Sequence, residues 1–221
     1  MCRNHTAAGA SRARIHRRGM ALLWFGLWLG ISFPAAGVDL ETAQRQFLAG
    51  NYTGCVALAE ETLREQPYSE EWRLLLAQGL LAMGRVAEAR GAVTDKLAQE
   101  SPSIRLRWLA REAYLSNGQT IQAAAMLEEI TQFVKARSWS YRDPPNLVTF
   151  GRVALLKGVD PKTVLDKLFQ PAKESDPNLR DVYLAIGGLA LDKHDFALAA
   201  KGFQEGNISA LIVFDGDTRT Q

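Results

Sequence analysis

Histidine and cysteine are scarce: the 221 residues hold three of the first and two of the second. Two cysteines cannot build a disulfide framework or a four-ligand zinc site, so the fold must stand on its apolar core. Long apolar runs are missing too. The longest, Met20 to Phe33, falls short of the roughly 20 residues that span a bilayer. Acidic side chains are absent from residues 1–37, which carry five arginines (Arg3, Arg12, Arg14, Arg17, Arg18). Without those arginines the remaining chain has 21 basic against 24 acidic side chains, so the net charge of +2 belongs to the leader and the body is mildly acidic. Such a body has no electrostatic footprint for nucleic acid. What is present, 47% hydrophobic and 23% charged residues, is the balance of a globular protein.

A basic start, an apolar stretch and the small residues Pro34-Ala-Ala-Gly37 before Asp39 follow the order of a secretory signal peptide, with a cut expected after Gly37. The expectation is export to the periplasm or the secreted space. The alternative is an uncleaved anchor, and membrane contact is expected only through this segment. Cleavage leaves Cys55 and His194 as the remaining cysteine and histidine. The apolar neighbours Val56 and Ala57 assign Cys55 to packing.

From residue 38 the chain repeats. Gly50, Gly84 and Gly118 are spaced 34 and 34, and five residues after each stands a small side chain, Cys55, Ala89 or Ala123. Apolar helical stretches flank every glycine, so the unit is helix, tight turn, helix. Glycine tolerates the left-handed backbone that lets a chain reverse. A small residue one turn into the second helix lets the two axes approach. Pro67 and Pro102 stop the second helices. Two degenerate units follow. The fourth holds Phe150-Gly151, Gly158 and Leu165, with a turn read as two residues longer. The fifth holds Ile186-Gly187, Ala199 and Phe203. The longer spacing from Gly118 to Gly158 places an insertion at residues 137–145, where Pro144 and Pro145 suit the start of a helix.

In these residues, together with Leu76-Ala77, Leu80 and Tyr114, the chain resembles the tetratricopeptide repeat family over about residues 39–206. The resemblance implies an all-α, right-handed helical-repeat solenoid of about five units. It also implies a concave face, lined by the first helices, that binds extended peptides. On that face the matching positions are Gln44, Gln78, Arg105, Trp108, Glu112 and Arg152, with Trp108 expected more as core than as contact. The family's carboxylate-reading positions carry Leu40, Gln44, Leu75, Arg105 and Leu109, so a chaperone-tail adaptor is disfavoured.

No catalytic motif emerges. Asp215-Gly-Asp217 reads as a turn, His194 as a solvated turn residue, and no phosphate loop, Gly-x-Ser-x-Gly or paired-histidine motif occurs. No cofactor and no metal are expected. Residues 207–221 form an irregular tail without helical periodicity. The repeats are expected to belong to a longer array, with self-association through the apolar C-terminal end. The function expected is a non-catalytic interaction scaffold for an unknown protein or peptide. The alternative is the N-terminal repeat portion of a larger exported enzyme such as a peptidase.

Overall fold

The computed structural model describes residues 39–99 and 101–206. The leader, the Asp215–Asp217 turn and the rest of the tail lie outside the described residues. Unit one is α1 (Leu40–Leu48) and α2 (Tyr52–Glu65), unit two α3 (Glu70–Ala82) and α4 (Val86–Leu97), and unit three α5 (Ile104–Ser116) and α6 (Thr120–Ala136). After a 3-10 turn, Ser138–Tyr141, unit four comprises α7 (Pro144–Leu156), α8 (Pro161–Val164) and α9 (Gln170–Ser175), the last two joined by a π turn at Leu165–Phe169. Unit five is α10 (Arg180–Asp192) and α11 (Phe196–Glu205). No strand occurs among the described residues.

Five identical turns build this pattern. Gly50, Gly84, Gly118 and Gly158 have φ between +72° and +81°, and His194 takes φ +59° at the same place in unit five. The amide after each donates back five residues: Asn51 to Gln46, Arg85 to Leu80, Gln119 to Tyr114, Val159 to Ala154 and Asp195 to Ala190, all at 2.8–3.0 Å. This closure satisfies the last carbonyls of the first helix and requires a left-handed residue, for which glycine has the lowest cost. In units one and five the residue after the turn caps the second helix: Asn51 accepts from the Gly54 amide and Asp195 from that of Leu198. Cys55, Ala89, Ala123 and Ala199 are buried, as the close approach of two helices demands.

Unit four departs from the expectation. Its second helix begins three residues after Gly158 rather than two, so the buried position falls on Val164, 1% exposed, and not on Leu165, which is only half-buried. The second extra residue is absorbed downstream, where the Gln170 amide donates to Leu165 O, a π-type bond. Pro171 is the cause we assign. It has no amide proton to offer the previous turn, and a π turn just before it removes the need for one. The two insertions together put Phe169 where unit five has Phe203. Each ring lies against a first-helix glycine, Gly151 or Gly187.

A second recurring device lies eleven residues before the turns of units two, three and five. Arg73 donates to Pro67 O at 2.7 Å, Arg107 to Ser101 O at 2.6 Å and Tyr183 to Pro177 O at 2.8 Å. Each ties a first helix to the loop six residues upstream. Arg107 is almost fully buried, bonds Glu129 at 2.8 Å and lies 4.2 Å from the centroid of the Phe133 ring.

Candidate functional site

First helices of successive units touch side by side, α1 to α3, α3 to α5, α5 to α7 and α7 to α10, whereas successive second helices hardly meet. The first helices therefore occupy the inner radius and line the concave face. Over units three to five that face deepens into a groove of about 580 Å³. Its base holds the fully buried Phe169 and the buried Ala185. Leu156, Val159 and Leu184 stand in it 41–53% exposed. Gly188 opens it further, because a Cβ built there meets no atom within 4 Å.

Polar groups gather around this apolar lining. Arg152 forks onto Asp181, Nη2 to Oδ1 at 2.6 Å and Nη1 to Oδ2 at 3.1 Å. Arg111 pairs with Glu112, and Asp192 and Lys193 stand at the far end. Trp108 closes the other end, half-buried, with the Arg111 guanidinium 5.0 Å and that of Arg152 6.0 Å from its ring centroid. Arg111 is an exception in the repeat. Seven residues before their turns the other units place Ala43, Ala77, Gly151 and Gly187, all buried, so only unit three sends a long cation from that position. Cations and carboxylates are matched, which suits an apolar segment with polar ends over a highly charged ligand.

Of the residues expected on this face, Trp108 and Arg152 line the groove. The others do not. Arg105 is held by Glu71 of the preceding unit and Glu112 by Arg111, and Gln44 and Gln78 are exposed on α1 and α3. Leu75 and Leu109 are core residues. Sequence reasoning missed the apolar lining, Leu156, Val159, Leu184 and Gly188, because it sought polar contacts. Arg111 was visible as a large residue at a small-residue position. Among the described residues no three histidine, cysteine, aspartate or glutamate side chains gather as metal ligands.

No family model matches the chain, and no curated protein matches it either. Solved structures do. TTC0263, a thermophilic TPR protein of Thermus thermophilus, is 18% identical, with 77% of this chain and 89% of that one covered at a TM-score of 0.54. MamA from Desulfovibrio magneticus RS-1 is 18% identical over 76% of this chain and 90% of its own, at 0.38. YrrB, a TPR protein with an unusual peptide-binding site, is 14% identical over 76% and 82%, at 0.37. The chain thus has the tetratricopeptide-type fold, an all-α solenoid of helical repeats.

Proposed function

We propose that the protein is a non-catalytic scaffold that holds an extended peptide or protein segment in the groove of units three to five, and that it works outside the cytoplasm. One observation carries the binding reading: exposed leucines and an open glycine lie on the inner face, where a monomeric solenoid gains nothing from exposing them. A bound segment would set small apolar side chains against Leu156 and Leu184 and direct polar groups to Arg111, Arg152 and Asp192. Export rests on the leader, and a fusion of residues 1–45 to a reporter active only after translocation is expected to score positive.

Display of random peptides tests the binding reading. Selection on the full chain is expected to enrich sequences that lose binding to Gly188→Leu. The added Cβ has open space around it, so the side chain can occupy the groove, and leucine favours the helix. Enriched peptides that bind Gly188→Leu equally well would place the working surface elsewhere.

A further inference from the structure

The junction of units three and four carries an insertion that the other junctions lack. In its single 3-10 turn, three residues complete a revolution, so Trp139 and Tyr141 cannot point the same way. Tyr141 faces inward, buried, with its hydroxyl donating to Pro102 O at 2.9 Å. Trp139 is left 71% exposed, and Arg142, just after the turn, is exposed as well. Lys135, Arg137 and Arg142 are all exposed and none has a carboxylate at ion-pair distance among the described residues. Of the neighbouring carboxylates, Glu70 and Glu71 pair with Arg105 and Glu129 pairs with Arg107, while Asp143 accepts from Asn146 and keeps its charge.

This patch has a definite place in the solenoid. Helices alternate in direction, so the N-terminal ends of the first helices share one edge with the insertion and the left-handed turns lie on the other. Glu70, Ser103 and Tyr141, from three successive junctions, line one cleft there, and Arg137 and Ser140 of the insertion line it with them. The chain enters α1 at Asp39 on the same edge, and the apolar run Met20 to Phe33 ends only a few residues earlier in the sequence.

We propose that this edge is a membrane-facing surface, separate from the groove, where Trp139 enters the interface of an anionic bilayer and Lys135, Arg137 and Arg142 meet its headgroups. An indole at headgroup depth flanked by cations is the composition of an interfacial anchor. Protein hot spots sit instead in desolvated pockets, unlike a tryptophan left 71% exposed. Each cation near an anionic surface strengthens partitioning about fivefold, so the arginine pair contributes about 25-fold.

Brominated-lipid quenching of tryptophan tests this on the full chain. Neutral phosphatidylcholine vesicles are compared with vesicles containing phosphatidylglycerol, and the Trp139 signal is the difference between the chain and Trp139→Phe. That difference cancels Trp24, Trp28, Trp72 and Trp108. Difference quenching is expected in anionic vesicles only. It should fall about tenfold or more in Arg137→Gln/Arg142→Gln, return in Arg137→Lys/Arg142→Lys, and fade with salt. Equal quenching in both vesicles, quenching in neither, or full quenching in the glutamine variant overturns the proposal. A Trp139 response to polyglutamate without one to vesicles also overturns it, and assigns the surface to an acidic protein.

Discussion

A methyl group added at Gly151 would sit 2.2 Å from Cε1 of Phe169 and 2.9 Å from Cδ1 and Cζ. Carbon atoms in contact prefer roughly 3.5–4.0 Å, so the ring must move by about 1 Å or more. It has nowhere easy to go: Phe169 is fully buried in a cluster with Val148, Val164 and Ala172. Overpacking of this kind costs about 1–3 kcal/mol, while replacing a mid-helix glycine by alanine returns about 1 kcal/mol of helix propensity. Gly151→Ala should therefore destabilise by about 1 kcal/mol, a drop in melting temperature of about 2–4 °C for a domain of this size. The companion Phe169→Leu loses ring contacts and should cost about 1–2 kcal/mol alone. Combined, the added methyl occupies space the ring has vacated, so the double variant should be more stable than the sum by about 1 kcal/mol. Thermal denaturation followed by circular dichroism gives all four corners of the cycle. A higher melting temperature for Gly151→Ala, or strict additivity, would mean that Phe169 does not seat on Gly151 and that the register assigned to unit four is wrong.

Gly84→Val should lose about 1 kcal/mol or more to backbone strain alone, since φ is +73° and no atom lies near its Cβ; an unchanged melting temperature would contradict the left-handed turn. Cys55 is buried in the contact between helices of unit one, and burial raises its thiol pKa, so it should react with thiol reagents far more slowly folded than denatured. Val164→Ala should destabilise more than Leu165→Ala, because Val164 is the residue packed in the core; the reverse order in denaturant melts would put Leu165 at the buried position of unit four. The amide and hydroxyl of Thr163 hold the Asp160 carboxyl below its ordinary range. Its contribution is present above the unfolded carboxylate pKa and is lost as pH falls through the folded value, so Asp160→Asn should flatten the acid limb of the stability profile.

Most of the solenoid could be read from the spacing of glycines and small residues, because the same backbone closure recurs at each turn and only glycine takes it cheaply. Where that rule was relaxed the reading weakened. His194, read as a turn residue, takes the left-handed conformation without being glycine, and the buried position of unit four falls on Val164 rather than Leu165. Chain length between two markers cannot distinguish a longer turn from a π turn, and unit four contains one of each. Pro171 was the available signal. The groove was harder to foresee, since it depends on leucines and a glycine from α7 and α10 whose exposure follows from how neighbouring units pack. Trp108 and Arg152 line the groove, while Gln44, Gln78, Arg105 and Glu112 stand on the same first helices without entering it.

Hydrogen exchange of the full chain, with and without a peptide enriched by display, tests the central claim most directly. Bound peptide is predicted to slow exchange in α7 and α10, around Arg152–Leu156 and Leu184–Lys193, and to leave α2, α4 and α6 unchanged. Protection confined to those second helices would contradict the assignment of the inner face as the binding surface.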